Sequence, residues 1–138
     1  MTPDKIVRNF ARCSDWEERY LYLIELGEKL PKYPNSKVND EYLIAGCQSR
    51  VWLDFSYDHA SQTFMFSALS DAAIVKGLLA LLRVVYHDKT AVDVLNYDIR
   101  AWFESIDLKS HLTPGRTQGL DAIIEEIQNT ARVAIEAQ

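Results

Sequence analysis

The sequence predicts an α+β fold in which a small antiparallel sheet packs against helices from the N-terminal and C-terminal segments. Apolar residues recur every three or four positions before residue 31 and again after residue 72, which indicates amphipathic helices. Between these segments apolar and polar residues alternate, which is typical of strands. The chain has 138 residues, of which 48% are hydrophobic and 25% charged. This length and composition indicate one globular domain, which we assign to residues 1–138.

Two helices are predicted before residue 31. Thr2 followed by Pro3 is a typical helix start, and the first helix should end near Arg12. Ser14-Asp-Trp-Glu17 has the spacing of a capping box, so Ser14 is expected to cap a second amphipathic helix. Pro31 ends that helix and begins an irregular connection that continues to residue 41.

The central segment predicts a three-stranded antiparallel sheet. Alternation is clearest over about 49–57, where Val51, Leu53, Phe55 and Tyr57 share one face. A turn at 58–61 leads into a returning strand over about 62–69. A short strand at 42–45 is expected to pair alongside and complete the sheet.

The remainder of the chain predicts four helices. Ser70-Asp71 is expected to cap the most apolar of them, which runs from Ala72 to about His87. Thr90 opens a short helix, and residues 99–106 form another. Thr113 followed by Pro114 begins a closing helix with a long apolar stripe.

Charge and hydropathy exclude several classes of function. The formal net charge is −5, and the 15 Lys and Arg residues are scattered along the chain. Such a protein repels phosphate backbones, so no nucleic-acid partner is expected. The longest apolar segment, Gly77–Leu82, is far shorter than the ~20 residues that span a bilayer. The first ten residues lack the apolar stretch of a signal peptide, so we expect a cytoplasmic protein with no membrane partner.

Cys47 is the clearest candidate for a chemically reactive residue. It follows Gly46 and precedes Gln48 and Ser49, where backbone freedom and polar neighbours suit an approachable thiol. The alternative is a buried loop cysteine without a function. Cys13 lies at a helix end, where a structural role is favoured. In the cytoplasm both thiols should be reduced.

Three kinds of chemistry remain open for Cys47. A hydrolase would need a general base, for which His111 is a better candidate than His59 or His87. A metal or iron–sulfur scaffold would have to share ligands across a dimer, because no CxxC or CxH pair is present and no metal site is expected within one chain. A sulfur carrier needs only one thiolate that attacks a persulfide.

A carrier thiol benefits from a cation that lowers its pKa. With an ordinary pKa of ~8.5, only about 3% of a thiol is thiolate at pH 7. A helix N-terminus nearby would have the same effect. Arg50 and Arg116 are the first candidates for such a cation.

The chain contains a series of motifs: RNF at 8–10, WEE at 16–18, YLY at 20–22, LG at 26–27, LP at 30–31, IAGCQSRVW at 44–52, SDAAIVKGL at 70–78, WF at 102–103 and HLTPGRTQGL at 111–120. Together these motifs resemble those of the SufE family of sulfur acceptors, essentially from end to end of the chain.

This resemblance implies a fold like that of SufE and IscU and a role in iron–sulfur cluster assembly. The protein would accept sulfur as a persulfide on Cys47 from a SufS-type cysteine desulfurase, stimulate that enzyme and donate the sulfur to a SufBCD-type scaffold. It would not be a stand-alone enzyme. Pyridoxal phosphate would belong to the desulfurase, so no cofactor is expected here. A homodimer is implied by the family rather than by these residues.

The resemblance also implies roles for the neighbours of Cys47. We expect support of the active loop from Gly46, Gln48, Ser49 and Arg50. Partner docking or loop control is expected of Asp71, Arg116 and His111. Because a persulfide is easily reduced or oxidised, the Cys47 side chain should fold inward in the free protein, with Gly46 as the hinge.

Overall fold

A computed structural model describes residues 1–137, which form six α-helices, two strands and two short 3-10 turns. Their bounds in chain order are α1 Pro3–Ala11, α2 Trp16–Glu28, a 3-10 turn Asn35–Lys37, β1 Val51–Asp58, β2 Thr63–Ser70, α3 Ala73–Tyr86, α4 Ala91–Asn96, α5 Ile99–Ser105, a 3-10 turn Lys109–His111 and α6 Pro114–Glu136. The α+β class is therefore as predicted.

The two strands form an antiparallel hairpin in which Val51 pairs with Ser70 and Asp58 with Thr63. One face of this hairpin is buried and packs against α3. The alternation of buried side chains follows the two-residue period of the sequence, because side chains of a strand point to opposite faces in turn. The buried face consists of Val51, Leu53 and Phe55 of β1 and Phe64, Phe66, Ala68 and Ser70 of β2.

The predicted third strand at 42–45 is wrong, since the sheet described for residues 1–137 has two strands. Leu43 forms a single bridge to Trp52, with hydrogen bonds from Ile44 N–H to the Val51 carbonyl (2.9 Å) and from Leu53 N–H to the Tyr42 carbonyl (2.9 Å). The chain turns before this bridge and again just after it, so pairing ends after one bridge. The start of β1 is also later than the predicted residue 49.

Two of the predicted helix caps are displaced. The cap of α2 is Asp15, whose carboxylate accepts from Glu18 N–H (2.9 Å), while Glu18 accepts from Ser14 N–H (2.7 Å). The cap therefore lies one residue later than expected, and the reciprocal bond of Glu18 goes to Ser14 N–H, one residue before the cap. The N-cap residue of α3 is Ala72, which makes no side-chain cap bond. The Ser70 hydroxyl accepts from Ala72 N–H at 3.3 Å and donates to the Arg50 carbonyl, while Asp71 accepts from Arg50 N–H. The caps at Thr2, Thr90 and Thr113 are confirmed.

The core is organised around α3, which carries the most buried side chains of any helix between residues 1 and 137. Helix α2 packs on one side of it and the hairpin contacts it as well. Leu79, Leu81, Leu82 and Tyr86 of α3 are fully buried. This burial explains why the sequence of α3 is apolar beyond a single stripe.

Helices α2 and α3 approach each other closely where Gly27 faces Gly77. A Cβ at Gly27 would lie 2.7 Å from the Gly77 nitrogen, and one at Gly77 would overlap the Leu23 carbonyl. Both glycines are buried. Real Cβ atoms do not come this close to backbone, so the distance between the two helices depends on glycine at both positions.

We expect Gly77→Ala to lower the free energy of unfolding by about 2 kcal/mol, because overpacking against backbone outweighs the gain in helix propensity. Urea denaturation followed by circular dichroism measures this change. Gly119→Ala is the matched control, because its added Cβ would meet side chain and backbone at 3.5 Å, an ordinary contact. Equal stability of the two variants would contradict the interpretation of the helix contact.

Candidate functional site

Cys47 lies on a short loop between the Leu43 bridge and the start of β1. Gly46 precedes it with φ of +89°, a backbone conformation that L side chains rarely adopt. The glycine is therefore required by the path of the chain at this point. It lets the loop turn so that Cys47 faces α6.

The other end of the loop is fixed at Arg50 by the residues that follow β2. Asp71 accepts from Arg50 N–H at 3.1 Å, and Asp71 N–H donates to the Arg50 carbonyl at 3.3 Å. The Ser70 hydroxyl donates to the same carbonyl at 2.7 Å. Asp71 thus fixes the backbone at the end of the Cys47 loop. The side chain of Arg50 is exposed.

The Cys47 side chain folds inward, as predicted. Its Sγ lies 3.6 Å from the Gly119 carbonyl of α6, within the range of a weak S–H bond. The side chain is half-buried and packs against the core. The pocket around it is lined by the apolar residues Val51, Val75, Leu78, Leu120 and Ile123, by Gln48 and Ser49 of the loop, and by Gly115, Arg116 and Gly119 of α6.

The pocket is small and mainly apolar. Its volume is about 20 Å³, which is close to the space that a single water molecule occupies. Because the loop covers it and Cys47 is not fully buried, the thiol is sheltered but not closed off from the surface. Such a pocket suits one further atom attached to Sγ.

Burial raises the pKa of the Cys47 thiol above its ordinary value. Desolvation is the cause of this shift, and no cation opposes it. Neither of the candidate cations, Arg50 and Arg116, is among the causes of this shift in the conformation seen here. Arg116 does line the pocket, and its Nε is buried without a hydrogen-bond partner among the described residues. The inward thiol is poorly ionised and thus a weak nucleophile.

Gln48 and Ser49 complete the loop. Both line the pocket of Cys47, and Ser49 is half-buried. The Gln48 amide lies against Gly115 at the first turn of α6. The two residues thus form part of the wall around the thiol.

His111 lies away from the pocket. Its ring stacks on Trp16 with centroids 3.7 Å apart, and its Nε2 is 3.6 Å from Asp107. Its carbonyl accepts from the Tyr20 hydroxyl at 2.6 Å. His111 therefore joins the segment before α6 to α2, and the structure does not bring it together with Cys47.

The other two histidines do not face Cys47 either. His87 accepts from Phe66 N–H through Nδ1 at 3.0 Å, and His59 packs edge-on against Tyr57. Within residues 1–137, no histidine lines the Cys47 pocket. The geometry therefore offers the thiol no imidazole base.

Cys13 is also a free thiol, as predicted for both cysteines. It lies just after α1, and its Sγ contacts the Asn9 carbonyl at 3.5 Å. In the part of the chain that the structure describes, no group of three His, Cys, Asp or Glu side chains could hold a metal ion. None of the described helices is long and apolar enough to cross a membrane.

Sequence reasoning missed two glycines of α6 as part of the site. Gly115 contacts Gln48, and Gly119 contacts both the backbone and the sulfur of Cys47. A signal was present: two glycines four residues apart inside a predicted helix cost about 1 kcal/mol each relative to alanine. Such a pair indicates close approach of another segment on one helix face.

Fold and site together define a small α+β domain built around one loop thiol above an apolar pocket. The model of the SufE family, described as an Fe-S metabolism associated domain, matches residues 4–131. The chain belongs to the SufE family and is thereby associated with iron–sulfur metabolism. It is also similar to a hypothetical protein from Thermus thermophilus, known from a solution structure, with a TM-score of 0.77. That match has 20% identity over 99% of each chain, and it shows the shared fold.

We expect Cys47 to react slowly with iodoacetamide at pH 7 and faster as the pH rises beyond 9, because burial raises its pKa and the thiolate is the reactive form. The Cys13→Ser variant isolates this thiol, and intact mass against time gives the rate. The same variant in denaturing urea is the control and should show an ordinary inflection near ~8.5. An inflection below that of the unfolded chain would contradict the desolvated thiol.

Proposed function

We propose that this protein is a cytoplasmic sulfur carrier that accepts persulfide sulfur on Cys47 from a SufS-type cysteine desulfurase. It stimulates that enzyme and passes the sulfur to a SufBCD-type scaffold complex. The observation that supports this proposal most strongly is the half-buried thiol on a glycine-hinged loop above an apolar pocket. Membership of a family associated with iron–sulfur metabolism points in the same direction.

The transfer step requires only the thiolate of Cys47. This thiolate attacks the outer sulfur of the persulfide on the desulfurase and forms a new S–S bond. The S–S bond of the desulfurase breaks, and its cysteine leaves as a thiolate. No external oxidant or reductant is consumed, because the sulfane sulfur keeps its oxidation state. Pyridoxal phosphate acts in the desulfurase, so this chain needs no cofactor of its own.

The resting pocket suits storage rather than attack. A poorly ionised thiol avoids unwanted reactions, and an apolar wall excludes water from a labile sulfur. Transfer then requires that docking move the loop outward, where solvent and the partner's charges favour the thiolate. Gly46 provides the freedom for this movement, while the Arg50 to Asp71 bonds hold the other end.

Two other functions are less well supported by the geometry. A cysteine hydrolase lacks a base at the site, because His111 is stacked on Trp16. A scaffold would take its further ligands from another chain. Sulfur transfer, hydrolysis and cluster assembly give different products, so one incubation experiment distinguishes all three.

Incubation with the desulfurase, cysteine and pyridoxal phosphate should add the mass of one sulfur atom to this protein, and the addition should be reversed by a thiol reductant. Cys47→Ser should show no addition, because no other thiol can substitute for the loop nucleophile. Cys13→Ser is the matched control and should accept sulfur nearly as well as the wild-type protein. Intact mass spectrometry measures all three.

Loss of acceptance in Cys13→Ser would mean that the wrong thiol is assigned or that sulfur passes through a relay. An acyl adduct formed from an ester or amide would favour the hydrolase. Colour that develops after addition of iron and sulfide, without prior persulfide, would favour the scaffold.

Asp71 is proposed to control the loop through its bond to Arg50 N–H. In the Cys13→Ser background, Asp71→Ala should raise the alkylation rate of Cys47 by about tenfold, since loss of a charge-assisted hydrogen bond frees the loop end. Asp71→Asn keeps an acceptor oxygen and should stay near the parent rate. An unchanged rate in Asp71→Ala would leave docking as the remaining role of Asp71.

A further inference from the structure

The side chain of Gln48 lies directly on the backbone of Gly115. A Cβ built at Gly115 would fall well within 3.0 Å of the Gln48 amide carbon, nitrogen and oxygen. The amide therefore occupies the place that any side chain at position 115 would take. Gln48 follows Cys47 in the chain, so this contact determines where the Cys47 backbone lies relative to α6.

The backbone of α6 does not itself require glycine at this position. Gly115 is the second residue of the helix, after the Thr113 cap and Pro114, and it has no positive φ. Helix propensity would favour alanine there. The nearest atoms that a Cβ at residue 115 would meet all belong to the Gln48 amide, which a methyl group would displace.

The contact between the Gln48 amide and the Gly115 backbone is held by packing alone. No side-chain hydrogen bond of Gln48 to the protein is seen among the described residues, and the residue as a whole is exposed. A contact of this kind is easily broken and re-formed. By comparison, the Arg50 end of the loop is held by three hydrogen bonds.

We propose that Gln48 is a positioning residue that holds the Cys47 loop closed. It does so through the contact of its amide with the Gly115 backbone, which we call the Gln48 seat. Release of this seat opens the Cys47 pocket from the side of α6, while the Arg50 end stays fixed. The seat governs access to Cys47 whatever reagent attacks it. Its use during sulfur transfer rests on the proposed function.

The experiment measures the alkylation rate of Cys47 by iodoacetamide at constant pH in the Cys13→Ser background. Gly115→Ala should raise this rate about three- to tenfold, because its methyl group displaces the flexible end of Gln48 and local opening becomes more frequent. Gln48→Ala should raise the rate by a similar factor. Gln118→Ala, an exposed glutamine of the same helix, is the matched control and should leave the rate unchanged.

The double variant Gln48→Ala with Gly115→Ala separates the seat from two unrelated effects. If both changes act on one contact, the double variant reacts no faster than the faster single variant. The proposal would be overturned if the two rate increases multiplied in the double variant, or if Gly115→Ala left the alkylation rate unchanged. Urea denaturation should show that Gly115→Ala is at least as stable as its parent, which excludes global unfolding as the cause of faster alkylation.

These rates do not depend on a desulfurase, so they test the seat separately from sulfur transfer. Faster alkylation in Gly115→Ala together with no persulfide on the parent protein would support the seat and reject the carrier. Unchanged alkylation together with normal persulfide formation would reject the seat and leave the carrier intact.

Discussion

The site depends on a stretch of α6 that presents backbone without side chains. Gly115 and Gly119 lie one turn apart on the same helix face, and the Cys47 loop rests on both. Gln48 covers the first glycine and Cys47 the second. Thr113 and Pro114 fix where the helix begins, and this start determines where the two glycines lie. A side chain at residue 115 would take the place of the Gln48 amide, whereas a Cβ at residue 119 would still make ordinary contacts with Cys47.

Glycines also permit a close approach of two segments in the core. Contact between Gly27 and Gly77 brings α3 close to α2, and α3 supplies Val75 and Leu78 to the pocket of Cys47. Helix α3 begins just after the hairpin, so Asp71, which holds the end of the loop, lies between these two elements. Helix α3 therefore links its close contact with α2 to the burial of the Cys47 sulfur.

Much of this arrangement could be predicted from the residues, because periodicity reports which faces are buried. The hairpin and the helices were predictable in this way, whereas the inward thiol was predicted from the need to shelter a labile persulfide. The predicted third strand was wrong, since the length of pairing at Leu43 depends on how the neighbouring loop packs. Whether Arg50 or Arg116 acts on the thiol could not be decided from the sequence for a related reason. Sequence shows which charges are near in the chain, whereas the pKa of Cys47 depends on which apolar side chains surround it.

The size of the Cys47 pocket has a consequence for stoichiometry. With room for about one water-sized group, it would accommodate the one sulfane sulfur of the proposed Cys47 persulfide. A longer sulfur chain would have to displace the covering loop. The proposed carrier would on this ground be loaded with one sulfur atom at a time.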